Sequence, residues 1–249
     1  LPVPKYAHLP LVLGDDRKKL SKRHGITSVD NYRSEGYLPE ALLNYIAMMG
    51  WSAASGEEIM SAEKISGQID LSLLGKAAAV FDFTKLRWMN ANYIRSYDLA
   101  KITDLFVPYL KKAGFDPDAF GREALERRIG LMRGSCELLS DIVKNAPMFF
   151  EETPEPDAEA AALLSTEEGK KAAAAAFELM GTEITAANFE TDLINKIKEK
   201  TGLKGKNLFH PCRALFTSSL NGPDLAESMK TVGYEICLKR VRKIHERFN

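Results

Sequence analysis

The sequence has 249 residues, 45% of them hydrophobic and 27% charged, with 34 Lys and Arg against 34 Asp and Glu. That make-up predicts an ordinary globular chain with room for one large or two modest domains, and zero net charge excludes a uniformly basic nucleic-acid binder. No apolar run approaches the roughly 20 residues a membrane helix needs, and no charged-then-apolar start predicts secretion.

From the N-terminus, Tyr6 to Leu13 is an apolar run ended by Gly14, which predicts a strand, and Asp15-Asp16 supplies turn chemistry. The run Arg17-Lys18-Lys19-Leu20-Ser21-Lys22-Arg23-His24-Gly25 follows, with five cations in nine positions. An exposed basic loop of this kind can close on polyphosphate, ammonium groups meeting phosphate oxygens while glycine lets the backbone approach. Thr27-Ser28 can cap a short helix interrupted by Gly36. Leu38, Ala41, Leu42, Tyr45, Ile46 and Met49 then make one apolar stripe, with Pro39 in the first turn and Gly50 at the end. A short helix is expected over 61–67, and another after Asp82 or Thr84, either of which can cap it.

From Asp98 the periodicity is helical throughout. Ile102, Leu105, Phe106, Tyr109 and Leu110 form one face, and Leu125, Ile129, Met132, Cys136 and Leu139 form a second, continuing to Ile142 and Val143. Residues 151–165 are acidic and carry Pro154 and Pro156, which predicts a linker. An alanine-rich helix after Thr166 runs to Met180, and a helix with Phe189, Leu193 and Ile197 inward stops at Gly202. One containing Phe209, Cys212, Phe216 and Leu220 follows Lys204-Gly205-Lys206, and Gly222-Pro223-Asp224 breaks it. The last helix turns Cys237, Val241, Ile244 and Phe248 inward, and Lys239, Arg240, Arg242, Lys243 and Arg247 to the other face. The expected fold is mainly α, with a short strand-loop start.

Charge is uneven within the neutral total. Residues 1–25 carry six Lys or Arg against two Asp, whereas 151–168 carry seven acids and no Lys or Arg. A basic face for RNA is therefore permitted. Cys136, Cys212 and Cys237 are far apart, so no zinc-ligand spacing arises, and they are expected to be core residues of a protein from a reducing cytoplasm. No HExxH, G-x-S-x-G or phosphate-loop motif of the GxxxxGK type is present, and the four histidines do not cluster.

Lys19-Leu20-Ser21-Lys22-Arg23 resembles the KMSKS signature of class I aminoacyl-tRNA synthetases, in the form typical of glutamyl-tRNA synthetases. The resemblance extends through His8-Leu9-Pro10-Leu11 and His24-Gly25. It continues in Gly36 to Tyr45, in Phe81 to Asn90, and from Gly205-Lys206 to Gly222-Pro223-Asp224-Leu225, all in the same order. The family's HIGH motif does not occur in the sequence, and the chain is expected to be the C-terminal part of a longer synthetase of bacterial type.

That resemblance implies residues 1–25 as the end of a catalytic domain and 26–98 as a stem-contact module. Beyond the module it implies helical anticodon-binding regions at 99–150 and 166–249, joined by the linker. Lys22 and Lys19 become the expected catalytic cations, with Ser21 as a third ATP contact. Arg213, Arg240, Lys243 and Arg247 are the candidate tRNA contacts. The implied partners are ATP with Mg2+, glutamate and tRNA(Glu), in a cytoplasmic monomer that touches no membrane. The alternatives are a helical RNA-binding module without catalysis and a helical protein-interaction domain. The latter leaves the loop at Lys19–Arg23 without a purpose.

Overall fold

The strand expected over the first apolar run is short. In the computed structural model, which describes residues 3–248 apart from 5, 7, 22, 24, 26 and 27 and the side chain of Leu71, β1 covers Val12–Leu13. It pairs in parallel with β2, Ala79–Val80, with Val12 opposite Ala79 and Leu13 opposite Val80. A parallel pair requires a crossover, and among the described residues this one carries three α-helices. They are α1 (Val29–Glu35), α2 (Pro39–Met48) and α3 (Ala62–Gln68), and α4 (Phe83–Ser96) leads out of β2.

Local chemistry sets these boundaries. The Ser28 hydroxyl accepts from the Asn31 amide, and the Asp82 carboxylate accepts from Lys85 N–H at 2.9 Å, so of the two caps weighed for α4 the aspartate serves. Gly36 ends α1 at φ 100°, donating to the carbonyls of Tyr32 and Arg33.

The chain divides into two units. The first comprises residues 1–98 and Cys136–Ser140, and the second Leu99–Ser135 and Asp141–Asn249. The first unit's core is aromatic: Tyr32, Tyr37, Tyr45 and Phe81 pack with Leu86, Met89 and Leu138, and Tyr45 meets Phe81 edge-on at 4.9 Å. Asn90, fully buried, satisfies the surrounding backbone. Its Oδ1 accepts from Leu38 N–H at 2.8 Å, and its Nδ2 donates to the carbonyl of Glu137 at 2.6 Å. Leu139 N–H in turn donates to the carbonyl of Gly36 at 2.9 Å.

The stripe on α2 is narrower than its periodicity suggests. Leu38, Ala41 and Tyr45 are buried, but Ile46 is 53% exposed, at the rim of an apolar groove shared with Leu9 and Leu11.

The second unit holds nine helices among the described residues. They are α5 (Leu99–Lys112), α6 (Arg122–Met132), α7 (Ile142–Phe150), α8 (Ala158–Leu164), α9 (Glu167–Thr182), α10 (Phe189–Thr201), α11 (Lys206–Thr217), α12 (Leu225–Val232) and α13 (Tyr234–Phe248). One core cluster joins α8 through α13, including Leu164, Ala172, Ala176, Leu193, Cys212, Phe216, Val241 and Ile244. All three cysteines are free and buried, and burial pushes the thiols of Cys212 and Cys237 up to about 12.

Three expectations are corrected here. The apolar stripe from Leu125 to Leu139 is not one helix. After Met132 the Ser135 hydroxyl takes the Met132 carbonyl at 2.8 Å, and Cys136–Ser140 belongs to the first unit. On α5, Leu105 faces out, and the buried face is Ile102, Thr103, Phe106 and Leu110. Residues 151–165 do not hang free. Asp157 caps α8, Ala160 and Leu164 are fully buried, and Asp157 N–H donates to the Ser218 carbonyl at 2.9 Å. Prolines and acids mark this stretch as non-helical at its start, but long-range hydrogen bonds fix it.

Candidate functional site

The basic loop leaves the carboxyl end of β1 and turns at once. Gly14 N–H donates to Lys18 O at 2.8 Å, Arg17 N–H to Gly14 O at 3.0 Å, and Leu20 N–H to Val12 O at 2.9 Å. Asp16 Oδ1 accepts from Lys18 N–H at 2.9 Å, the turn chemistry expected of the aspartate pair. Lys19 forms an antiparallel bridge with Leu13, so its backbone is pinned to the strand while its side chain is exposed. Among the described residues Lys19 makes no ion pair. Ser21 is half-buried and Arg23 exposed, whereas Lys22 and His24 lie outside the described residues. At the far end of the loop, Gly25 sits beside Phe83: a Cβ there would lie 3.5 Å from the ring.

Between the two ends of the loop lies a cleft of about 470 Å³, lined by Gly14, Asp15, Phe81, Asp82, Phe83 and Thr84. It sits just past the carboxyl ends of both parallel strands, where open parallel sheets generally bind ligands. Its wall is held by Tyr45, whose hydroxyl accepts from Asp82 N–H at 2.6 Å. Burial raises the Tyr45 phenol above its ordinary value, so it stays protonated at neutral pH. The cleft thus opens beside the start of the cation-rich loop, Gly14 and Asp15 being part of its lining.

The four arginine and lysine candidates in the helical half are placed differently. Arg213, half-buried, donates through Nη1 to the Pro223 carbonyl at 2.7 Å. Gly222 beside it has φ 141°, and a Cβ there would sit 3.0 Å from Met148 Cε. Lys243 Nζ reaches Glu155 Oε1 at 2.6 Å and the Thr153 carbonyl at 3.0 Å. Arg247 pairs with the same Glu155 carboxylate, which the two cations hold below its ordinary range.

Arg240 overturns its expectation. It is 2% exposed, and its guanidinium donates to the carbonyls of Glu152, Met148, Glu151 and Phe216. Burial pulls its pKa down to about 10, outweighing the opposing influence of Cys237 and Glu151. A side chain so enclosed cannot meet a phosphate. Helical periodicity put Arg240 on the polar face because arginine scores as surface, and only the facing carbonyls reveal an internal role. Phe209, on the same helix face as the buried Cys212 and Phe216, is 53% exposed.

A family model described as an anticodon binding domain matches residues 101–245, more than half of the sequence. The chain belongs to the anticodon binding domain family. Residues 1–88 match a second model, the catalytic domain of class I tRNA synthetases (E and Q), so the basic loop and its cleft fall in the catalytic match and all nine second-unit helices overlap the anticodon binding one.

The relatives agree. The chain is 37% identical over 244 residues to the glutamate–tRNA ligase of Desulforamulus reducens and 38% identical over 251 residues to that of Heliobacterium modesticaldum. These alignments cover 96% and 98% of the chain but 50% of each relative. The chain spans about half the length of the curated relatives it matches. Among solved structures, a glutamate tRNA ligase from Elizabethkingia meningosepticum in complex with its amino acid superposes with a TM-score of 0.83 at 28% identity, covering 99% of this chain and 52% of that one. This anticodon binding domain protein is therefore homologous to glutamate–tRNA ligases along its whole length.

Proposed function

We propose that the chain supplies the ATP loop and the tRNA-binding region of a glutamate–tRNA ligase, which activates glutamate with ATP and transfers it to tRNA(Glu). The observation that carries this is the order of parts: a cation-rich loop beside a cleft within the catalytic match, followed by the anticodon binding match. In the reaction, the glutamate carboxylate attacks the α-phosphate and pyrophosphate leaves. Negative charge builds on the phosphate oxygens, and cations that meet it lower the barrier more than they tighten ATP binding. Lys22 takes that role, with Lys19 as a second phosphate contact and Ser21 as a hydroxyl donor. Mg2+ would travel with the ATP phosphates, as it usually does when bound with a nucleotide.

The division of labour proposed from the sequence is kept: residues 26–98 as a stem-contact module and the helical remainder as the anticodon-reading part. The enzyme is read as a cytoplasmic monomer. No helix among the described residues is long and apolar enough to cross a membrane.

The test uses the protein encoded by the complete reading frame. Glutamate-dependent exchange of pyrophosphate into ATP and charging of tRNA(Glu) are the expected results. Exchange with a different amino acid, or none with any, overturns the reading. The 249-residue chain alone should bind tRNA without supporting exchange.

A further inference from the structure

Two supports flank the cations of the basic loop. Before them, Leu20 is half-buried against the aromatic core of the first unit, and its N–H donates to the Val12 carbonyl at 2.9 Å. After them comes Gly25, exposed and at φ 117°, where an L side chain would be strained. No backbone hydrogen bond among the described residues reaches Gly25. What stands there is the Phe83 ring: a Cβ built on Gly25 would lie 3.5 Å from its Cζ and 4.0 Å from its Cε2. A residue without a side chain lets the backbone come down onto that ring.

Phe83 is not needed to start its own helix. Asp82 caps α4, and the residues α4 buries are Leu86, Met89, Asn90, Ala91 and Ile94. The Phe83 ring is half-buried and lines the cleft. It meets Phe81 with ring centroids 4.6 Å apart, and Phe81 meets Tyr45 at 4.9 Å. The Tyr45 hydroxyl accepts from Asp82 N–H at 2.6 Å, which fixes the turn between the two phenylalanines. Three rings in succession thus run from the core to Gly25, and the last is backed by close-packed neighbours.

Ser21-Lys22-Arg23-His24 lie between the two supports in the sequence. A short segment tied at both ends samples far fewer conformations than one tied at a single end. Electrostatic stabilisation of a transition state depends on that restriction, because a displacement of about 1 Å can cost 100-fold in rate.

We propose that Phe83 is a positioning residue for glutamate activation: its ring is the surface on which the Gly25 end of the loop rests, and it holds the loop's cations where charge develops on the phosphates. This rests on the loop's being the ATP loop of a glutamate–tRNA ligase. Phe83 acts through the loop and touches no reacting atom.

The experiment uses the protein from the complete reading frame and follows glutamate-dependent exchange of pyrophosphate into ATP. Phe83→Ala should lower kcat about 10- to 100-fold while changing the KM for ATP less than about threefold. Phe83→Met, unbranched and of similar reach, should recover kcat to within about threefold of the parent. In a Lys22→Ala background, Phe83→Ala should cost less than about twofold more, since the ring works through the segment that carries Lys22. Limited trypsin digestion reads the same support without any reaction. Cleavage after Lys22 and Arg23 should run about tenfold faster in Phe83→Ala, with cleavage elsewhere at the parent's pace. The assignment is overturned if Phe83→Ala keeps the parent's kcat, if its loss multiplies in full with that of Lys22→Ala, or if cleavage after Lys22 and Arg23 is unchanged. Faster cleavage throughout the chain would show that Phe83 holds the fold and not the loop, and would overturn it too. A parent that exchanges no glutamate removes the ligase reading alone, and the trypsin comparison still decides whether Phe83 holds the loop.

Discussion

Arg240 Nη2 donates to the carbonyl of Met148 at 2.8 Å, across 92 residues of sequence. With the bonds to Glu151, Glu152 and Phe216, one guanidinium satisfies four backbone oxygens from two separate segments. Charged donors to buried acceptors are worth more than neutral ones, and an orphaned carbonyl costs about 1–3 kcal/mol. Arg240→Met should therefore destabilise the second unit by about 3 kcal/mol or more, read as a shift in the denaturant midpoint. Arg240→Lys should not restore it, because one ammonium cannot span the fork. A midpoint unchanged in Arg240→Met would show that the carbonyls find water instead.

Asn90 plays the matching part in the first unit. Asn90→Leu keeps the volume but leaves Leu38 N–H and the Glu137 carbonyl without partners. The expected cost is about 2–4 kcal/mol in chemical unfolding. Gly36→Ala attacks the same junction from the other side. The backbone there has φ 100°, and an added methyl would lie 2.7 Å from the nitrogens of Leu139 and Ser140. It should cost at least about 2 kcal/mol; a smaller loss would mean that Cys136–Ser140 can shift without penalty.

These cases also show what the residues disclose before any fold is known. Ser28, Asp82, Thr166 and Gly202 announce their helix ends because caps are local chemistry. The apolar faces of α9, α10 and α13 follow from periodicity. Ile46, Leu105 and Phe209 break the rule, since spacing says which residues share a side and not how wide the covered strip is. Arg240 and Asn90 are invisible for another reason. Their partners are backbone groups from remote segments, which have no side-chain signature. At the candidate cleft, the cation-rich loop is legible in the sequence as Arg17–Arg23, whereas the wall at Phe81–Thr84 comes close to Gly14 and Asp15 only because β1 and β2 pair.

Alkaline pH should weaken the first unit. Burial pushes the Tyr32 phenol up to about 12 and raises Tyr37 and Tyr45 as well. An unfolded tyrosine ionises near 10. The stability these groups contribute is complete below pH 10 and is lost as pH climbs through about 12, because the unfolded chain releases the proton first. Tyr32→Phe should flatten that loss. Circular dichroism melts from pH 9 to 12 measure it, and equal slopes for the two chains would argue against Tyr32.

In the protein from the complete reading frame, Lys22→Ala should lower the rate of glutamate activation more than it raises the Michaelis constant for ATP. A cation that acts on the transition state is worth about 30- to 1,000-fold. Lys19→Ala, whose backbone is already pinned to β1, should cost less. An unchanged turnover number in Lys22→Ala would remove it from the mechanism.

The membership of Cys136–Ser140 in the first unit bears on how the chain is made. Leu138 belongs to that unit's aromatic core, and Glu137 and Leu139 close the hydrogen bonds around Asn90 and Gly36. A nascent chain that has reached residue 98 still lacks these pieces. At the usual pace of translation the wait is about two to eight seconds. During that time the pocket for Leu138 stands open on the ribosome, and a polypeptide stopped at residue 98 would never close it. The first unit is therefore a domain whose completion is timed by the synthesis of its neighbour.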